Sequence, residues 1–224
     1  MRTLLTIILI GALCTTTLSA QELQGTLKDI QESGKIRIGY RQSLPPMSFL
    51  GKDGIPSGYS VDLCNHIATA AKNKIGKDIS VEYISVTAED RFEALVTNKI
   101  DILCGSTTTT LARREIVDFT NLVFVTGGSY MALKGRKIKN NFEGKKIGVE
   151  KGTTTAVALK NLFKETGTQV EMVLLNSKDE GISALKKGEI DILSADQVVL
   201  IGLVLKDDSP EEFTILPDMF SFDP

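Results

Sequence analysis

Short β-branched apolar runs alternate along this chain with longer stretches in which apolar residues recur every three or four positions. That alternation is the signature of an α/β protein with largely parallel sheets. Residues 36–40, 79–85 and 100–104 read as strands, and 61–75 and 89–98 as helices. The second helix is opened by Thr87 with Asp90 three residues on, a capping-box arrangement in which the two side chains satisfy backbone N–H groups of the first turn. The same grammar then restarts, with strands predicted over 146–149, 170–175 and 190–194, helices over 154–164 and 179–187, and a further helix after Asp196. The restart reaches residue identities. Ala94-Leu95 followed by Ile100-Asp101-Ile102-Leu103 recurs at the same spacing as Ala184-Leu185 followed by Ile190-Asp191-Ile192-Leu193, and Ile38-Gly39 echoes Ile147-Gly148. Two copies point to two lobes of similar architecture.

Between the copies, Leu122 to Val125 is strand-like and Gly127-Gly128 follows, which suits a chain crossing from one lobe to the other. An extended 213–216, just ahead of Pro217, suits a return crossing. Two crossings make a hinge, and a hinge places a ligand between lobes. The expected division is a leader over 1–20, a first lobe over 21–124, a second over 125–212 and a return strand over 213–224. Arg2, the apolar run from Leu4 to Leu13 and the small-residue sequence Leu18-Ser19-Ala20 give the leader the form of a secretory signal peptide. Its apolar run is shorter than the ~20 residues that a bilayer-spanning helix needs. Cys14 follows Leu13 and not the small residue expected at a lipid-modified cysteine. Export implies a periplasmic or secreted protein and permits a disulfide. Downstream of the leader stand two cysteines, Cys64 and Cys104, for which a bridge and a pair of buried thiols are equally open readings.

Charge and composition narrow the partners. With 26 basic against 28 acidic residues, a net charge of −2 and no basic run, neither nucleic acid nor a membrane surface is an expected partner. The one histidine, His66, lies on an apolar-rich predicted helix and reads as structural. No His/Cys cluster, phosphate loop, nucleophile motif or spaced carboxylate pair stands out, so no metal, cofactor or catalytic residue is expected.

The informative polar residues lie at strand ends, where open parallel sheets hold their ligands. Arg41 follows the first strand; Gly105-Ser106-Thr107-Thr108-Thr109-Thr110 leads to Arg113 after the third; Lys151-Gly152-Thr153-Thr154-Thr155 follows the fourth. Hydroxyls and free amides ahead of a helix, backed by an arginine fork, suit a carboxylate. Ordinary helix caps and surface arginines would explain any one of these alone, but three strand ends converge on the same chemistry. Asp196, after 190–194 and ahead of a helix, could take an ammonium group or serve as an N-cap. Arg91 could equally be a solvated charge paired with Asp90 or Glu93.

Taken together, these pieces resemble the periplasmic amino-acid-binding proteins of polar amino acid ABC importers, solute-binding protein family 3. The matching segments are the leader, Ile38-Gly39-Tyr40-Arg41 with Pro45-Pro46-Met47-Ser48-Phe49, Gly58-Tyr59-Ser60-Val61-Asp62-Leu63, Cys104-Gly105-Ser106-Thr107-Thr108 with Arg113, Gly152-Thr153-Thr154, and Ile190-Asp191-Ile192 with Asp196. The resemblance implies a two-lobed type II periplasmic-binding-protein fold, each lobe a mostly parallel sheet flanked by helices, with a hinge of two crossing strands. It implies a monomer that binds an amino acid, serves a membrane permease and is not an enzyme. It further implies that Arg113, with Ser106, Thr108 and Thr153, grips the ligand α-carboxylate while Asp196 receives the α-ammonium. Within the family the glutamate/aspartate binders are most similar, because Arg41 and Arg91 match their side-chain carboxylate arginines.

Two departures qualify that likeness. Where those binders read Lys-Asp-His-Gly near the pocket, this chain has Lys178-Asp179-Glu180-Gly181. A glutamate facing the ligand side chain would repel an acidic one unless it turns away or pairs, so glutamine and asparagine stay open. Relatives also continue beyond the return crossing, whereas this sequence ends at Phe222-Asp223-Pro224, so the first lobe is expected to be incomplete at its C-terminus and binding weak. Two other classes share the resemblance: an enzyme like cyclohexadienyl dehydratase, with Glu180 or Asp196 as general acid, and the ligand-sensing input domain of a receptor.

Overall fold

The computed structural model describes residues 22–136, 138 and 141–224, so the expected leader lies outside the described residues. The first part of the chain runs α1 (Thr26–Ser33), β1 (Lys35–Tyr40), β2 (Ser43–Leu44), β3 (Ser48–Leu50), β4 (Pro56–Ser57), α2 (Tyr59–Ile75), β5 (Ser80–Ser85), α3 (Arg91–Val96), β6 (Ile102–Cys104) and α4 (Leu111–Arg114). The second runs β7 (Gly128–Leu133), β8 (Lys146–Glu150), α5 (Thr154–Thr166), β9 (Glu171–Leu175), α6 (Lys178–Lys187), β10 (Ile192–Asp196), α7 (Gln197–Lys206) and β11 (Phe213–Ile215). Among the described residues no helix is long and apolar enough to cross a membrane.

Each part builds its own sheet. In the first, β1 lies between β5 and β6 and is parallel to both. The second sheet has the order β11-β7-β10-β8-β9, with β8, β9 and β10 parallel and β7 antiparallel to β10 and β11. Parallel strands covered on both faces are apolar throughout, and Ile38, Ile147, Val149, Ile192 and Leu193 are fully buried. β2, β3 and β4 form a small antiparallel meander between β1 and α2.

The sequence echo is a repeated helix-turn-strand unit with the same contacts in both lobes. Ile100 N–H and Ile190 N–H donate to the carbonyls of Ala94 and Ala184, turning each chain off its helix. The Asp101 carboxylate accepts from Arg37 N–H at the start of β1 (2.7 Å), and the Asp191 carboxylate accepts from Lys146 N–H at the start of β8 (3.0 Å). The glycines of the echo make room for the isoleucines: a Cβ at Gly39 would lie 2.4 Å from Ile100 Cδ1, and one at Gly148 2.5 Å from Ile190 Cδ1.

The crossings differ from expectation. Leu122 to Val125 form no strand, and the chain pairs only at Thr126, whose N–H and C=O bond the backbone of Asp223 at 3.0 and 2.8 Å. The 213–215 segment is an edge strand of the second sheet, because β7 offers a free edge and the sheet buries Phe213. The return crossing comes later, where Phe220 N–H donates to Gly128 C=O (2.9 Å) ahead of the Thr126–Asp223 pairing.

Cys64 on α2 and Cys104 at the end of β6 are disulfide-bonded, with Cα atoms 6.4 Å apart, inside the first lobe's core of Ile30, Ile36, Ile38 and Ile75. Leu44 and Met47 of the first lobe pack instead in the second lobe's core, with Met131, Val199, Leu200 and Leu203. The lobes therefore meet through an apolar contact beside the cleft.

Candidate functional site

The carboxyl ends of β1, β6, β8 and β10 converge on one small cavity between the lobes. Arg41, Arg91, Ser106, Thr108, Arg113, Thr153 and Asp196 all line it. Their local anchors are simple. Arg113 is the third residue of the short α4, which Thr110 caps by accepting Arg113 N–H (3.2 Å), and its Nη1 donates to Thr108 C=O (2.7 Å). Thr153 caps α5, accepting Ala156 N–H (3.2 Å) while its hydroxyl donates to Glu150 C=O (2.6 Å). Thr108 reaches across the cleft to the Thr154 hydroxyl (3.1 Å) and also donates to Asp223 (3.3 Å).

Asp196, at the end of β10, is 8% exposed. Burial pushes its carboxyl up to about 6, with Lys178 and Arg113 opposing that rise. Its side chain makes no cap bond to α7, so the N-cap role is not what holds it in place.

Two further charged residues line the cavity that the sequence reading did not single out. Glu150 ends β8 and is 1% exposed; Lys178 begins α6 and is 3% exposed. Glu150 pairs with the Arg41 guanidinium across the cleft, and Lys178 Nζ lies 3.4 Å from its other oxygen. Both carry a legible signal in hindsight. Glu150 is a charge closing an apolar parallel strand, and Lys178 is a cation in a helix's first turn, where the backbone dipole favours an anion.

Arg91 lines the same cavity, 2% exposed, with one guanidinium nitrogen bonded to Ala88 C=O and another to Gly152 C=O across the cleft (3.2 Å). Burial first, and then Arg113 and Arg41, lower its pKa to about 9. Burial likewise lowers that of Lys178, against the pull of Glu150. Arg91 Nε and Glu150 Oε2 are enclosed by the protein and have no hydrogen-bond partner among the described residues. Lys178 Nζ, 3.4 Å from Glu150 Oε2, offsets part of the cost of burying that oxygen.

Glu180 is not brought to this cavity. It is the third residue of α6, and its carboxylate turns back to accept from Asn176 N–H (2.6 Å) and Asn176 Nδ2 (2.9 Å), while its own N–H donates to the Ser177 cap (3.1 Å). These bonds hold its carboxyl below the usual range. The Ser177-to-Glu180 spacing is itself a capping box, so the local signal was present.

The two lobes are closed over the cavity. Besides Arg41–Glu150 and Arg91–Gly152, Lys151 pairs with Glu89 at the rim (2.7 Å). Gly152 sits at φ +74, and a Cβ there would meet the Ala88 carbonyl oxygen at 2.9 Å, so the approach requires glycine.

A family model, bacterial extracellular solute-binding proteins, family 3, matches residues 36–161. The L-glutamate/L-aspartate-binding protein of Pseudomonas aeruginosa is 33% identical over 220 residues, 95% of this chain and 72% of that protein. The Escherichia coli K12 protein YhdW is 31% identical over 203 residues, 89% of this chain but 59% of its own length. Among solved structures, an ABC transporter/periplasmic binding protein from Brucella ovis with glutathione bound superposes with a TM-score of 0.80 at 27% identity, over 90% of this chain and 64% of that one. The fold is thus the two-lobed type II periplasmic-binding-protein fold. Family match, relatives and cleft agree, and the chain belongs to the bacterial extracellular solute-binding proteins, family 3.

Proposed function

We propose that this chain captures an acidic amino acid, glutamate or aspartate, outside the cytoplasm and delivers it unchanged to the membrane permease of an ABC importer. The observation that carries the reading is the charge lining the cavity: four cations, Arg41, Arg91, Arg113 and Lys178, against two carboxylates, Glu150 and Asp196. Arg113 and Asp196 offset each other, which suits the zwitterionic α-carbon of any amino acid, and Arg41, Arg91 and Lys178 then outnumber Glu150. An anionic side chain would offset the excess positive charge, and the naming of the Pseudomonas aeruginosa relative for glutamate and aspartate supports the choice.

The test is a thermal-shift and calorimetric screen of the common amino acids. L-glutamate or L-aspartate should raise Tm by mass action, about 2.7 kcal/mol of stabilisation at a hundredfold excess over Kd. Arg91→Ala or Arg41→Ala should remove that effect for the acidic ligands, and Arg113→Ala for every amino acid. Stabilisation by basic amino acids alone would overturn the reading.

A second reading rests on Asp196, whose carboxyl near 6 is suited to a general acid. It predicts turnover of prephenate or arogenate in the manner of a cyclohexadienyl dehydratase. Incubation with either compound and analysis of the products separates a catalyst from a carrier.

A further inference from the structure

Asp223 is a buried carboxylate on the return crossing, where its backbone pairs with Thr126. Its Oδ1 accepts from the Thr108 hydroxyl (3.3 Å). Its Oδ2 accepts from the Ser221 hydroxyl, which itself accepts Gly128 N–H (2.8 Å) at the start of β7. The neighbouring Pro224 carbonyl accepts Thr109 N–H (2.9 Å). The loop between β6 and α4 is therefore held to the crossing strand twice, at Thr108 through a side chain and at Thr109 through the backbone.

A hydroxyl has one proton, and Thr108 donates it to Asp223, so the Thr154 hydroxyl is the donor in their contact across the cleft (3.1 Å). Thr108 also carries the carbonyl to which Arg113 Nη1 donates (2.7 Å). One chain of bonds thus runs from α5 of the second lobe, through Thr108 of the first, to the strand that joins them, with Arg113 attached at Thr108. We propose that Asp223 is a positioning residue for ligand capture: from the crossing strand it fixes Thr108 and, through the Thr108 carbonyl, aims Arg113 at the ligand α-carboxylate. The inference rests on the amino-acid-binding reading above, but it concerns the part of the ligand that all amino acids share and does not depend on an acidic side chain. Asp223 also acts on Asp196. Burial is the main cause of the raised Asp196 carboxyl; of the charged groups around it, Lys178 of α6 and Arg113 of α4 oppose the rise, as does the Ser106 hydroxyl, and Asp223 adds to it as a like charge. Neutralising Asp223 should let Asp196 stay ionised to lower pH.

Calorimetry with L-glutamate, L-glutamine and L-arginine as probes tests this on the wild type, Asp223→Ala, Asp223→Asn, Thr108→Val and the double variant Thr108→Val/Asp223→Ala. Asp223→Ala and Thr108→Val should each weaken every probe that the wild type binds by about tenfold, leaving the ranking of probes unchanged. Asp223→Asn keeps an acceptor for Thr108, so it should stay within about threefold of the wild type at pH 7 and lose less affinity than the wild type between pH 7 and pH 5. In the Thr108→Val background, Asp223→Ala should weaken binding by less than about twofold, because the path is already broken. Wild-type affinity in either single variant overturns the assignment, as does additivity in the double variant, or an Asp223→Asn with the affinity of Asp223→Ala or the pH profile of the wild type; all of these leave amino-acid capture standing. Because Thr108→Val and Asp223→Asn each decide the matter alone, an Asp223→Ala that does not fold leaves the proposal open to refutation. A wild type that binds glutamine or arginine and not glutamate overturns acidic capture alone, and the same variants are then read with that probe. A wild type that binds none of the three overturns both.

Discussion

Asp196 is pulled in two directions. Folding removes its carboxyl from water and raises its pKa from 3.8 to about 6, so the folded state keeps a proton that the unfolded chain has released. Stability from this group is therefore complete below about pH 4, falls as pH rises through the window to about 6, and is lost above it, a change on the order of 3 kcal/mol. Capture of an ammonium group runs the other way, since it needs the ionised carboxylate. Ligand affinity should fall as pH drops from 7 to 5 while the ligand-free protein gains this part of its stability. Asp196→Asn should raise the ligand-free Tm at pH 7, remove this share of its pH dependence and weaken binding by at least about tenfold. An affinity equal at pH 5 and pH 7 in the wild type would deny Asp196 the ammonium role.

At the scale of elements, α7 and the β2 turn form the apolar face on which the lobes close. Gly202 of α7 packs against Pro45 of the other lobe so tightly that a Cβ would stand 2.2 Å from the Pro45 carbonyl oxygen. In an unobstructed helix, Gly→Ala gains up to about 1 kcal/mol. Here the added methyl meets backbone, which cannot swing aside, and the lobes must part to accommodate it. Gly202→Ala should weaken ligand binding by roughly tenfold and enlarge the ligand-free radius of gyration in small-angle scattering. A gain in stability with unchanged affinity would show that this contact plays no part in closure.

At the scale of the molecule, the Cys64–Cys104 bridge ties α2 to β6 across 40 residues and sits directly ahead of the Gly105-Ser106 turn into the cleft. Closing a loop of that length in the unfolded chain is worth about 4 kcal/mol in the chain-entropy account. Reduction, or Cys64→Ser with Cys104→Ser, should lower stability to chemical denaturant by a comparable amount. Because the bridge lies in the first lobe's core and not on the cavity wall, the residual folded protein should keep its preference among ligands.

Much of this was legible in the sequence, and for local reasons. Apolar periodicity and cap spacing act over a few residues, so strands, helices and the two-lobe echo could be read directly. Arg41, Arg113, Thr153 and Asp196 were readable because each stands beside such a landmark, a strand end or a helix start. The tertiary structure decided what depended on distant partners. Strand 213–215 joined the second sheet because β7 had an open edge. Glu180 turned away from the cleft because Asn176 held it, and Glu150 joined Asp196 as a carboxylate of the pocket. Glu150 and Arg41 stand 109 residues apart, and no local pattern reports that β1 and β8 will end face to face. Burial turned two ordinary charges into a pair that must satisfy each other, and burial belongs to the packed lobes, not to either segment.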